Sequence, residues 1–403
     1  MKAPEHKALL LENVHPHAAK KFRESGFQVE TSLQSADEDS LCRKLEGVSV
    51  VGIRSKTKIT DRVLAQARSL TAVGAFCIGT DQIDLEACTK RGVAVFNAPY
   101  SSTRSVVELI LGEILLLARG VFGKSQRLHR GQWDKSATGS NEIRGKKLGI
   151  VGYGKIGSQL SVLAETLGME VYFFDVEERL ILGNAKKCSS LPHLLKVADI
   201  VTLHVDGRPE NRDLFGQKEF RQMKAGAIFL NASRGFVVDE TALAENLKNG
   251  RLRAAAMDVF SREPRGNQET FTSPLQGLEQ VILTPHIAGS TEEAQKAIGI
   301  FVMERIVDYM NSGNTLYSVN FPNVQLPKIS EAHRLIHIHE NIPGMLAQLN
   351  KAFAAHKANI LGQYLKTTES IGYAITDIST TYHRAILEEL KSIPRTIKFR
   401  VLY

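Results

Sequence analysis

The chain has 403 residues, 43% of them hydrophobic and 23% charged, with a formal net charge of +8; this describes a soluble globular protein of about three domains. Its four cysteines, Cys42, Cys77, Cys88 and Cys188, stand far apart with no CxxC, so reduced thiols are expected and neither a metal site nor a disulfide framework is. The basic residues are dispersed, Lys20-Lys21-Phe22-Arg23 being the densest cluster, which reads as a surface that attracts small anions and not as a nucleic-acid face.

The opening Met1 to His6 is polar and the apolar run 8–11 too short for a secretory leader. The most apolar stretch, 106–118, contains Glu108, Gly112 and Glu113 and reads as a buried helix, not a membrane span. A cytoplasmic protein is expected. Up to about residue 98, strand candidates at 8–11, 27–30, 48–53, 71–75 and 93–96 alternate with helices at 14–24, 37–45 and 60–67. Such alternation implies one open parallel sheet whose ligands lie beyond the carboxyl ends of its strands. Two of those ends are chemically loaded: Arg54-Ser55-Lys56-Thr57, and Cys77-Ile78-Gly79-Thr80-Asp81, where a turn at Gly79 can present N–H groups to a carboxylate. Arg54 and Lys56 read equally well as solvated loop residues.

Ser102 or Thr103 can cap the long helix to 118. The polar stretch 130–144 follows, with the only tryptophan, Trp133, and Lys135. Residues 147–175 then run strand, glycine turn, helix, strand, acid, the order of a dinucleotide site. In Gly152-Tyr153-Gly154-Lys155-Ile156-Gly157, Gly152 permits the tight turn, Gly154 a close pyrophosphate and Gly157 close helix packing, while the helix start offers N–H groups to phosphates. Lys155 reads as a solvated side chain within the turn. Asp175 falls about 20 residues on, where a carboxylate accepts both ribose hydroxyls and repels a 2′-phosphate, so NAD is expected over NADP. Strands at 200–204, 227–231, 254–258 and 281–283, with helices at 191–197, 217–223 and 240–248, continue this second sheet to about Gly289.

Ser290-Thr291-Glu292-Glu293 has the capping-box pattern and opens a helix to about 311; 312–327 reads as a linker. The tail changes character: strand 333–339, helix 343–355, strands 360–365 and 373–378, helix 385–393 and strand 396–402 make a βαββαβ ferredoxin-like unit. The expected fold is α/β, two doubly wound parallel-sheet (Rossmann-like) domains followed by that unit.

Three polar residues follow strands of the second sheet: Arg234, Glu263 and His286. In a parallel sheet those ends share the edge that carries the glycine turn. Each alone reads as a structural residue; together they are the parts hydride transfer from an alcohol needs. Histidine takes the hydroxyl proton, a carboxylate raises its pKa, and arginine grips a substrate carboxylate.

With GYGKIG (152–157), NASRG (231–235), DVFSREP (258–264) and TPHIAGST (284–291), extended by IRSKTKIT (53–60), CIGTDQID (77–84), FNAPYSSTRSVVE (96–108) and HIHENIPG (337–344), the chain resembles the D-isomer-specific 2-hydroxyacid dehydrogenases, and within them the branch that oxidises phosphoglycerate and carries a terminal ACT domain. The resemblance implies His286 as acid/base, Glu263 as its partner, and Arg234 on the substrate carboxylate with backbone N–H groups around Cys77, Ile78 and Gly79. It implies Arg54, Ser55 and Lys135 on a substrate phosphate. Gly152, Gly154, Lys155, Ile156, Gly157, Asp175, His204 and Asp258 would surround NAD, with Asp258 by the nicotinamide carboxamide. His339, Asn341 and Asn359 match positions that bind L-serine as feedback inhibitor at a paired ACT interface. It also implies a homotetramer, reduction of 2-oxoglutarate in some members, and three domains: 1–98 with 290–325 for substrate, 99–289 for NAD, and 332–403 for regulation. Asp206 departs from the pattern, standing where a proline is usual near the cofactor. Two other readings, a glyoxylate-type dehydrogenase and an NAD-sensing interaction platform, leave Arg54, Lys135 and the tail without a purpose; a third, an amino-acid sensor that binds without turnover, has no need of the catalytic set.

Overall fold

The first sheet is built from short apolar runs. Its strands β1 (Lys7–Leu10), β2 (Gln28–Thr31), β3 (Val50–Ile53), β4 (Ala72–Ala75) and β5 (Ala94–Phe96) pair in parallel in the order β2-β1-β3-β4-β5. β3 and β4 are buried along their whole length, as strands covered on both faces must be. Asp37, Thr60 and Asp84 each cap a helix through the side chain, accepting from Ser40, Val63 and Ala87 N–H. The computed structural model describes residues 6–264, 269–379 and 385–403. It divides into two units, Met1–Ser101 with Gln295–Tyr403, and Ser102–Ala294.

The second unit holds a seven-stranded parallel sheet of β6 (Lys147–Val151), β7 (Glu170–Phe174), β8 (Lys186–Lys187), β9 (Ile200–Leu203), β10 (Ala227–Asn231), β11 (Leu252–Met257) and β12 (Val281–Leu283). Its order is β12-β11-β10-β9-β6-β7-β8. The chain leaves β6 toward β7 on one side and comes back to β9 on the other, which makes the carboxyl end of β6 the switch point where such sheets bind ligands. Helix Thr103–Arg119 covers one face; Ser102 stands at its cap position without a side-chain cap bond. Helix Val121–His129 follows it directly.

The last four strands, β13 (Ala332–Glu340), β14 (Ile360–Thr367), β15 (Ile371–Ser379) and β16 (Thr396–Val401), are antiparallel in the order β14-β15-β13-β16. With helices Met345–Ala355 and Ala385–Ser392 they form the ferredoxin-like unit expected from sequence. This sheet shares a core with the first: Ile336, Ile338, Tyr373 and Ile375 pack with Val302, Ile306 and Tyr309 of helix Glu292–Ser312 and with Ala8 and Leu10 of β1. Arg334, fully buried, pairs with Asp377 through two 2.7 Å hydrogen bonds and donates to the carbonyls of Ser312, Leu326 and Pro327. The stretch that reads as a linker is thereby tied into the last sheet, and the buried charges have the partners that make their burial tolerable. Among the described residues no helix is long and apolar enough to cross a membrane.

Candidate active site

The turn after β6 has the shape of a phosphate cradle. Gly152 sits at φ +91°, and a Cβ there would lie 2.6 Å from the His204 carbonyl oxygen. A Cβ on Gly157 would lie 2.3 Å from the Gly152 carbonyl oxygen, whereas around Gly154 nothing lies within 4 Å. Helix Lys155–Thr166 starts at Gly154 with no side-chain cap. With no side chain at the cap position and open space at Gly154, the turn fits a dinucleotide pyrophosphate at the helix start.

Asp175 follows β7. One carboxylate oxygen accepts from Tyr153 N–H at 2.7 Å and from Arg179 Nε at 3.2 Å; the other accepts from Glu177 N–H at 2.9 Å. The carboxylate is thus fixed beside the turn with lone pairs left for a ribose. Asp206 follows β9, on the other side of the turn. Arg208 Nε reaches both its oxygens at 2.9 Å, Arg208 Nη2 reaches one at 2.6 Å, and Asn211 Nδ2 donates at 2.9 Å. This grip holds the Asp206 carboxyl below the usual range. The His204 imidazole faces Thr202 Oγ1 at 3.0 Å, and burial pushes its pKa down to about 3.

On the same edge the chain turns back after β12, with His286 at φ +55°. Asp258, which follows β11 and is 1% exposed, sets that turn. It accepts from Thr284 Oγ1 at 2.7 Å, Ile287 N–H at 2.8 Å and Ala288 N–H at 2.9 Å, while its carbonyl accepts from His286 N–H at 2.8 Å. A left-handed non-glycine residue persists only where its surroundings over-determine it, and here one carboxylate does so. His286 Nδ1 meets Glu263 Oε2 at 2.8 Å. That bond outweighs burial and raises the His286 pKa; burial works against Glu263, but the same bond holds its carboxyl low. The second Glu263 oxygen accepts from Phe260 N–H at 3.1 Å. Arg234 Nη1 donates to the Ser233 carbonyl. Its charge acts on Asp206, Glu263 and His286 alike. The three residues expected to converge therefore share one electrostatic neighbourhood with the glycine turn's edge. Gly235 is the tightest point: a Cβ there would lie 1.9 Å from the Phe260 carbonyl carbon.

In the other unit the two loaded strand ends meet. Gln82 Nε2 donates to the Arg54 carbonyl at 2.5 Å and to the Gly79 carbonyl at 3.4 Å, and Cys77 Sγ lies 3.1 Å from the Gly79 carbonyl oxygen. Asn97 Nδ2 donates to the Ile78 carbonyl at 2.5 Å. Glu12, buried and at φ +59°, accepts from Lys56 N–H at 3.0 Å and Thr57 N–H at 2.7 Å. Reading the sequence missed Glu12 and Gln82. Glu12 stands more than 40 residues before the N–H groups it holds, and Gln82, although inside the CIGTDQID motif, reaches 28 residues back to the Arg54 carbonyl. Arg54 and Ser55 stand on this loop; Lys135 lies in the second unit on an exposed stretch beside Trp133. In the last sheet His339 is buried, with Nδ1 2.8 Å from the Glu340 carbonyl oxygen, and Asn341 Nδ2 donates to the Thr368 carbonyl at 2.8 Å. Asn359, exposed, accepts from Ser379 N–H at 2.9 Å through its carbonyl. Asn341 lines a groove of ≈ 830 Å³ together with Glu340, Ser370, Lys90 and Asn320.

A dinucleotide cradle and a histidine–carboxylate pair on one sheet edge define an NAD-dependent oxidoreductase. Residues 111–288 match the D-isomer specific 2-hydroxyacid dehydrogenase, NAD binding domain, and residues 335–398 the AHAS small subunit-like ACT domain. A D-lactate dehydrogenase from Aquifex aeolicus, solved with NAD and lactic acid, superposes with a TM-score of 0.69 at 25% identity, covering 78% of this chain and 100% of that one. D-3-phosphoglycerate dehydrogenase from Haemophilus influenzae is 50% identical over 398 residues, 98% of this chain and 97% of the relative. The enzyme of the same name from Escherichia coli K12 is 48% identical over 400 residues, again 98% and 97%. The chain belongs to the D-3-phosphoglycerate dehydrogenase family.

Proposed function

We propose that the chain interconverts 3-phospho-D-glycerate and 3-phosphohydroxypyruvate with NAD, the first step of phosphorylated L-serine synthesis, that it also reduces 2-oxoglutarate, and that L-serine inhibits it. The observation that carries this reading is the 2.8 Å pair of His286 and Glu263 on the edge that holds the glycine turn, in a chain matched along 98% of its length by D-3-phosphoglycerate dehydrogenases. NAD, when bound, supplies the hydride acceptor. Nδ1 of His286 is committed to Glu263, so Nε2 takes the hydroxyl proton in oxidation and returns it in reduction. Asp258 fixes the loop that carries the imidazole. Arg234 grips the substrate carboxylate with the N–H groups around Ile78 and Gly79, and Arg54, Ser55 and Lys135 meet the phosphate.

Residues 1–98 with 290–325 serve as substrate domain, 99–289 as cofactor domain and 332–403 as the serine-responsive domain, with His339, Asn341 and Asn359 at the effector site. A homotetramer fits the apolar side chains left exposed on and after the paired helices of the second unit: Leu115, Leu116, Phe122, Leu128 and Trp133. A cytoplasmic location fits the four free thiols. His286→Ala tests the core of the reading. Turnover drops about 100- to 10,000-fold while NADH binding, followed by fluorescence, stays near wild type; near-normal turnover removes His286 as the acid/base.

A further inference from the structure

Asp206 poses a problem that the structure answers. The chain β9 to Asp206 passes directly over the glycine turn, where the His204 carbonyl oxygen leaves no room for a Cβ on Gly152. An unpartnered carboxylate two residues further on would set a full negative charge beside the place a dinucleotide diphosphate occupies. Such a charge repels an anionic diphosphate, and the more so where water is excluded. Asp206 is not unpartnered. Arg208 grips both its oxygens, through Nε and Nη2, in a bidentate fork of 2.6–2.9 Å, and its own backbone N–H adds a further bond at 3.2 Å.

The same guanidinium reaches further. Arg208 Nη2 lies 3.6 Å from Glu177 Oε1, Glu177 Oε2 lies 2.7 Å from Arg179 Nη2, and Arg179 Nε lies 3.2 Å from Asp175 Oδ2. Charges therefore alternate along one row: Asp206, Arg208, Glu177, Arg179, Asp175. β6 stands between β9 and β7 in the sheet, so the loop after β9 and the loop after β7 flank the glycine turn, and the Arg208–Glu177 contact joins them. Isolated surface pairs contribute little. This row differs because its Arg208–Asp206 pair is bidentate, because its pairs are linked, and because it sits beside the site of a polyanionic ligand.

We propose that Arg208 holds the cofactor site in register: it cancels Asp206 and ties that loop to the ribose-binding loop of Asp175, so that an acid is tolerated beside the glycine turn. The proposal rests on the dinucleotide reading of the glycine turn. Arg208 is a positioning residue, acting through Asp206 and Glu177.

The test is NADH binding by fluorescence to the full-length protein at low and high salt, for wild type, Arg208→Gln, Asp206→Asn and the double variant. Arg208→Gln weakens NADH binding about tenfold at low salt, and the loss shrinks as salt screens Asp206. Asp206→Asn in the same chain restores binding to within about twofold of wild type, a rescue that a merely structural role of Arg208 does not give. Arg208→Gln binding like wild type, or a double variant as weak as the single one, overturns the proposal and leaves the dinucleotide reading intact. Failure of the wild type itself to bind NADH overturns both.

Discussion

His286 owes its place to two carboxylates with different duties. Asp258 binds the backbone and Thr284 side chain around His286 through its oxygens, and Glu263 holds the imidazole itself. Glu263 is therefore the main influence on the proton affinity, with the Asp258 charge adding to it, and Asp258 sets the position. Glu263→Gln removes the charge that raises the His286 pKa. In the reduction direction the protonated imidazole is needed, so the alkaline fall in kcat/KM moves to lower pH in the variant. In the oxidation direction the neutral imidazole is needed, and the acidic limb moves to lower pH as well. A pH–rate profile of each direction checks this; limbs that stay in place would mean that Glu263 does not act on the titrating group. At this scale the sequence named His286, Glu263 and Arg234 from their positions after strands, because a parallel sheet sends all such residues to one edge. It did not reveal that Asp258 clamps the His286 loop, since hydrogen bonds to backbone N–H groups leave no trace in residue spacing.

The elements carry one group that none of this chemistry uses. Glu113, on helix Thr103–Arg119, is 3% exposed, its Oε1 has no hydrogen-bond partner, and it faces the charge of Asp258. Burial first, and Asp258 second, push its pKa up to about 8. In the unfolded chain the same carboxyl ionises near 4.5, its ordinary value. Between those limits the unfolded state has released a proton that the folded state retains, so stability falls as pH rises from about 4.5 to about 8 and the effect is constant above that. The full cost is on the order of 5 kcal/mol. Glu113→Gln, neutral throughout, melts higher than wild type by a gap that widens from pH 5 to pH 8 in thermal unfolding; a gap independent of pH would show that Glu113 is ionised in the folded chain. The helix itself was legible from its apolar run. Two others were not. Leu85–Lys90 is too short for periodicity to show, and Val121–His129 has no buried residue, hence no apolar stripe to read.

At the scale of the molecule, alternation of strand and helix, the glycine turn and the βαββαβ tail were enough to read three sheets in their observed order, because each rests on local periodicity and turn chemistry. What local signals did not carry is the joining of the first and third sheets. That joining comes from side chains distant in sequence: the shared core of Ile336, Ile338 and Tyr373 with Val302 and Tyr309, the Arg334–Asp377 pair on the carbonyls of Ser312 and Pro327, and Lys398 Nζ, which donates to the Leu70 carbonyl at 2.6 Å. The last sheet is thus packed against the first sheet, on which Arg54 and the Cys77–Gly79 turn stand. The most direct measurement is NADH oxidation by the full-length protein with 3-phosphohydroxypyruvate, with and without L-serine in the millimolar range. The account predicts turnover that serine suppresses. Bound NADH without turnover of 3-phosphohydroxypyruvate would contradict the catalytic reading, and turnover indifferent to serine would contradict the regulatory one.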